Sequence, residues 1–314
     1  MISVFASILY LHPGGNRLAK SCSETMEMMS NSKVLDSLLP AEMAVSAENI
    51  GVSKAHMGLP KMMALGILAG AFIAFGAIFS TVTTAGSNLS FGLTNLLSGL
   101  TFSLGLILVV VGGAELFTGN NLLVMAWAGG KISTGLVVKN WIIVYLGNMF
   151  GAFSVVLMIW LSGHHLIGEG LVGERMIQIA GAKCQLGFGQ AFFRGILCNI
   201  LVCLAIWLCY SARTVQGKIL AIIFPITAFV AACFEHSVAN MYFIPACLAV
   251  KFWSTPESLQ LAPDTLPYLE ALTWKNFLAG NLLPVTLGNI LGGGLFVGLA
   301  YWFIYSCKWT QNNS

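Results

Sequence analysis

The stretch Glu235-His236-Ser237-Val238-Ala239-Asn240 interrupts an otherwise apolar run from Ile219 to Val250. A carboxylate beside an imidazole can take up and release protons, and imidazole does so near neutral pH. At membrane depth each ionisable group costs at least a few kcal/mol, so such groups face an interior or a pore and mark function. The bland alternative is a packing role, with the pair tied to backbone groups. Glu235 is the only acid between Glu174 and Glu257. A second lone acid, Glu115, is the only one between Glu48 and Glu169, and it sits in the glycine-rich stretch Gly112 to Asn120.

The elements that carry these residues are apolar throughout. Of 314 residues, 57% are hydrophobic and 9% charged, with a mean hydropathy of +0.83. Soluble domains carry roughly 25% charged residues, so the chain reads as an all-α integral membrane protein in contact with membrane lipid. Its 34 glycines suit close helix packing in lipid. A net charge of +3, with basic residues in loops, does not argue for nucleic acid. The eight cysteines lie mostly in apolar runs without a CxxC pair. They read as small packers, with no metal site, cofactor or disulfide framework expected.

In chain order, residues 1–33 are expected to be a disordered or dispensable N-terminal extension. Val4 to Leu11 is too short to span and lacks the flanks of a secretory signal. A start near Met26, Met28 or Met29 would explain the segment. Residues 34–55 are expected to hold an amphipathic helix on the membrane surface. It begins near Pro40, with Glu42 in its first turn and Gly51 at its end. Residues 56–308 then hold six transmembrane helices. The spans start near Lys61, Leu93, Ser133, Gly189, Ile219 and Trp274. The second run, to about Ala128, and the fifth, to Val250, exceed the 20 or so residues of one crossing. Each is broken around its lone glutamate, where unwound backbone must line protein or water. Ser162 to Lys183, with His164 and His165, is expected to be a solvated loop.

Two halves repeat this order, at about 56–162 and 183–306. NWIIVYLGN (Asn140 to Asn148) answers NLLPVTLGN (Asn281 to Asn289) with the same spacing. An odd number of spans per half inverts one half relative to the other. Inverted repeats with paired broken helices point to a midplane site. Lys54, Lys61, Lys131, Arg213, Lys218 and Lys308 fall on the side of the termini, which predicts cytoplasmic termini in the cell's inner membrane.

AELFTGN (Ala114 to Asn120), KNWIIVYLGN (Lys139 to Asn148), FEHSVANMYFIP (Phe234 to Pro245) and NLLPVTLGNILGGG (Asn281 to Gly294) resemble the formate–nitrite transporter family, above all its formate channels. The likeness covers about Val34 to Tyr305. It implies an aquaporin-like fold, a homopentamer, and a pore for small monovalent anions in each protomer. By resemblance the central pore histidine is His236, with Thr118 as its partner and Asn289 as the pore asparagine. The apolar constrictions fall on Leu106, Phe102 and Phe229, and the anion-attracting lysine on Lys183. Glu115 and Glu235 are the broken-helix carboxylates. Glu115 stands where Asp is more usual, and both acids are expected to cap the breaks by accepting backbone N–H bonds.

A bare anion in an apolar pore is costly. Lys183 would concentrate anions at a mouth, and Thr118 and Asn289 would offer neutral donors. His236 would either pass a proton to the anion or act as a charged or hydrogen-bonding group. Coupling between the anion and a proton is the favoured reading, because the apolar rings penalise a bare ion. Nitrite or hydrosulfide passage is the alternative within the same class. A neutral-solute pore lacks its two Asn-Pro-Ala signatures. An enzyme built on Glu235 and His236 lacks a nucleophile motif or metal cluster, and no nucleotide-binding glycine loop appears. Outside the resemblance, Thr118, Asn289 and Asn148 read as helix-packing hydrogen bonders, and Lys183 as an interfacial lysine.

Overall fold

The computed structural model describes residues 37–253 and 261–307. The N-terminal extension 1–33 lies outside them, as does Cys22. The chain from Leu39 onward forms one compact unit.

Helix α1, Pro40–Ala55, starts as its sequence dictates: proline occupies the first turn and the Glu42 carboxylate accepts the Leu39 N–H at 2.9 Å. It does not stop at Gly51. The missing Cβ there lets α1 approach Ala126, so glycine serves packing rather than termination. Met43, Ala44, Ala47, Glu48, Gly51 and Ala55 form its buried face. That face docks on the rest of the protein.

Three long helices follow: α2, Leu59–Thr84; α3, Phe91–Gly112; and, after a break and the short α4, Leu123–Ala128, α5, Thr134–Leu161. The supposed loop after α5 holds a helix, α6, Leu171–Cys184. It buries Val172, Gly173, Met176, Ile177, Ala180 and Cys184. That is a 3.6-residue stripe, which the polar residues between had masked. His165 is buried, not solvated. Desolvation lowers the pKa of His164 and of His165, and the neighbouring His164 lowers that of His165 further.

The second half repeats the order with α7, Phe188–Ser211; α8, Val215–Ala231; α9, Ser237–Trp253; a short α10, Leu266–Ala271; and α11, Asn276–Tyr305. Among the described residues five helices are long and apolar enough to cross a membrane: α2, α3, α5, α7 and α11. The broken pair α8 and α9 completes the sixth crossing. Helix α11 contains wide π turns over Asn276–Leu282 and Leu291–Leu299.

Glycine sets the central helix crossings. Gly151 of α5 lies against the Ile67 carbonyl of α2, where any Cβ would collide with it. Gly292 of α11 lies in the same way against the Ile196 carbonyl of α7. Phe150, Phe193, Phe224 and Leu283 are exposed on the outside, as a lipid-solvated surface allows. The described cysteines are free, and all but exposed Cys233 and half-buried Cys307 are buried.

Candidate functional site at the paired helix breaks

Both breaks begin with the same turn. Helix α3 ends at Gly113, whose φ of 81° is left-handed, and the Gly113 and Ala114 N–H groups both donate to the Val109 carbonyl. Helix α8 ends at Cys233, left-handed at φ 56°, and the Phe234 N–H donates to the Phe229 carbonyl. These are helix caps of the kind that favour glycine. The second half places a cysteine in that role.

The unwound segments are then held by two matching networks. Asn148 Oδ1 accepts the Phe117 N–H at 2.9 Å, while its amide donates to the carbonyls of Gly66 and Glu115. Asn289 Oδ1 accepts the Ser237 N–H at 2.9 Å, while its Nδ2 amide donates to the carbonyls of Gly195 and Glu235. Asn120 donates to Glu115 Oε2 and to Asn140 Oδ1, as Asn240 donates to Glu235 Oε2 and to Asn281 Oδ1. Lys54 closes the first network, 3.1 Å from Glu115, and Lys183 the second, 2.9 Å from Glu235. Asn140 donates to the Lys54 carbonyl and Asn281 to that of Lys183.

The carboxylates therefore do not cap backbone N–H groups, as the sequence reading held. Asparagines do that, and the carboxylates neutralise lysines and order asparagine amides. An amide brings both an acceptor and two donors, which a break with one orphan N–H and several orphan carbonyls needs. Both N–H donors of Asn289 are engaged within the protein, so neither is left for an anion.

The two halves differ at the centre. His236 Nε2 lies 3.0 Å from Thr118 Oγ1, and His236 Nδ1 lies 3.0 Å from the Ala239 backbone N–H. A backbone N–H can only donate, so Nδ1 accepts and the neutral ring carries its proton on Nε2. Nε2–H then donates to Thr118 Oγ1, and the threonine hydroxyl hydrogen is free for another acceptor. Asn199 braces this contact by donating to the carbonyls of Thr118 and Asn289, at 3.2 and 2.7 Å.

Two cavities approach the centre from opposite sides and share no lining residue. The first, of about 450 Å³, is lined by Lys183, Phe102, Phe229 and His236. The second, of about 380 Å³, is lined by Lys54, Glu115, Val109 and Leu116. Leu106 lies one helical turn from both Phe102 and Val109, is 2% exposed, and belongs to neither cavity. Phe102 meets Phe229 edge to face at 5.8 Å, and Phe229 stacks near His236 at 6.0 Å. Lys183 Nζ also stands 5.5 Å over the Phe243 ring. The structure thus brings His236, Thr118, Phe102 and Phe229 together, with Lys183 and Glu235 on one flank and Leu106 on the other.

Lys54, Asn120, Asn199, Asn240 and the partnership of Asn140 with Asn281 were not assigned to the site from sequence. Extending the internal repeat backwards pairs Lys54 with Lys183 and would have revealed most of them. Asn199 has no such signal, because its counterpart in the first half is Gly70.

A six-span inverted repeat with two broken helices and facing cavities defines a multi-pass membrane protein of the aquaporin-like channel fold. The Formate/nitrite transporter family matches residues 41–303, and the chain belongs to that family. It is 45% identical over 274 residues to the formate channel FocA of Escherichia coli strain K12, covering 86% of this chain and 95% of the relative. It is 43% identical over 276 residues to FocA of Haemophilus influenzae strain Rd, covering 87% and 97%. It is similar to a solved pentameric formate channel with formate bound, with a TM-score of 0.73 and 42% identity, covering 79% of this chain and 98% of that one.

Proposed function

We propose that each chain passes formate and similar small monovalent anions between its two cavities, past Thr118 and His236. The observation that carries this reading is the 3.0 Å contact between His236 Nε2 and Thr118 Oγ1 at the point where the cavities approach each other. The Nε2–H fills the threonine acceptor and so orients the hydroxyl as a donor. An anion crossing the apolar ring of Leu106, Phe102 and Phe229 then meets one neutral, preorganised hydrogen bond, which offsets part of its lost hydration. Lys183, neutralised by Glu235, polarises the approach without trapping the ion as a lone cation would. Asn289 is a positioning residue: it holds the backbone on both sides of His236. No group here needs to act as an acid or base on substrate, so we read the protein as a channel and not an enzyme.

Proton coupling is the second reading. The apolar ring favours it, because neutral formic acid would cross more cheaply than the anion. It requires protonation of His236 Nδ1, which must then give up the Ala239 N–H. Formate uptake by proteoliposomes, measured from pH 5 to 8 for wild type and His236→Phe, separates the two. Coupling predicts a pH dependence that His236→Phe abolishes. Simple passage predicts the same pH dependence in both proteins.

The similarity to a pentameric formate channel supports a homopentamer. The family and the basic residues near the ends support the inner membrane with cytoplasmic termini. Nitrite or hydrosulfide would use the same path. The matching hydrogen bonds support repeats that each begin with the short helix, α1 to α5 and α6 to α11, so that Pro40–Ala55 belongs to the pore-forming body.

A further inference from the structure

The first cavity holds more positive charge than the pore reading uses. Besides Lys183 it is lined by Arg175 of α6 and Arg194 of α7. Glu235 neutralises Lys183. Neither arginine has a carboxylate within ion-pair distance among the described residues. Arg175 donates Nε to Thr84 Oγ1 at 3.1 Å and a terminal nitrogen to Gln178 Oε1 at 3.4 Å. Arg194 makes one long bond, 3.5 Å, to the Cys233 carbonyl. Each guanidinium has five N–H donors, so most remain available. Both side chains are half-buried, where charge is screened less than on an open surface. Asp264 lines the same cavity but forms no ion pair among the described residues.

We propose that Arg175 and Arg194 form an outer docking site for a small carboxylate, filled before the ion reaches Thr118 and His236. The planar guanidinium fork matches the two oxygens of a carboxylate. A cavity of about 450 Å³ admits that anion with part of its water. The site rests on the anion-passage reading above and adds to it the capture step. Because the site lies outside the apolar ring, it sets how much substrate is loaded and not how fast a loaded ion crosses.

Formate uptake into proteoliposomes at low ionic strength tests this. The variants are Arg194→Gln, Arg175→Gln/Arg194→Gln, and the matching double lysine variant, each checked for its wild-type oligomer size. The double glutamine variant is expected to raise half-saturating formate about tenfold, with plateau flux within about twofold of wild type. Lysines should restore only part, since they keep the charge and lose the fork. A flux-independent readout comes from Cys233, which is exposed in the same cavity. Its labelling by an anionic methanethiosulfonate should exceed that by a cationic one, formate should slow it, and both effects should shrink in the double glutamine variant. Unchanged half-saturation and labelling in an assembled double variant overturn the docking site. A wild-type protein that carries no formate, yet is protected at Cys233 by formate, fails the transport reading and leaves the site standing.

Discussion

Lys54 and Lys183 hold the same position in the two halves: each ammonium meets the one carboxylate of its own helix break, 3.1 Å from Glu115 and 2.9 Å from Glu235. Removing one partner of a buried pair leaves the other uncompensated, typically at a cost of about 3–5 kcal/mol. The Lys54 side chain is 25% exposed, which softens that cost. Lys54→Met is therefore expected to destabilise the solubilised protein by about 2 kcal/mol. Lys54→Met/Glu115→Gln should recover most of the loss. Thermal unfolding of the single and double variants checks this; a double variant no better than Lys54→Met contradicts the pairing.

The capping asparagines give a second test. Asn148→Ala orphans the Phe117 N–H, and Asn289→Ala the Ser237 N–H. Each buried orphan costs about 1–3 kcal/mol. Thermal melts should show similar losses for the two variants. Both variants should also depress formate flux beyond their loss of folded protein, because Asn148 holds the backbone beside Thr118 and Asn289 the backbone beside His236. Wild-type flux per folded protein in either variant would contradict that positioning role.

Cys233 fills a left-handed position that its counterpart in the first break, Gly113, fills without strain. A non-glycine residue in that conformation costs roughly 1–2 kcal/mol. Cys233→Gly should thus be neutral or stabilising by up to about 1 kcal/mol after glycine's own entropy cost. Gly113→Ala should be destabilising. Denaturation midpoints of both variants decide the matter, and a destabilised Cys233→Gly would contradict it.

The connection between α5 and α6 should weaken in acid. Burial lowers the folded pKa of His164 and of His165 below the ordinary value of 6.5. A histidine with a depressed folded pKa favours the folded form above 6.5, and that contribution is lost as pH falls toward the folded value. Hydrogen exchange of residues 162–170 should therefore speed up below pH 6.5 relative to the transmembrane helices. Exchange that keeps a constant ratio across that range would contradict the burial.

Much of this architecture was legible in the sequence because lipid imposes it. A carboxylate alone in an apolar run must have partners, which located both breaks at Glu115 and Glu235. The recurrence of Asn140–Asn148 in Asn281–Asn289 exposed the inverted repeat. What stayed hidden depended on contacts distant in sequence. Lys54 looked like an orientation charge because its partner lies far along the chain. Gly51 looked like a helix end because its actual role, close approach to Ala126, is tertiary. Helix α6 was hidden because Glu174, Arg175 and Gln178 interrupt a stripe that is apolar only when read at helical period.

Passage by this route requires Thr118 to present its hydroxyl to the ion while His236 fills its acceptor. Formate flux per folded protein, measured side by side for wild type, Thr118→Val and Thr118→Ser, tests this most directly. Removing the donor should cut flux at least tenfold, in line with the loss of about 1.4 kcal/mol or more from one buried hydrogen bond. The serine variant should stay within about threefold of wild type, because it keeps the hydroxyl. Wild-type flux through Thr118→Val would contradict the account.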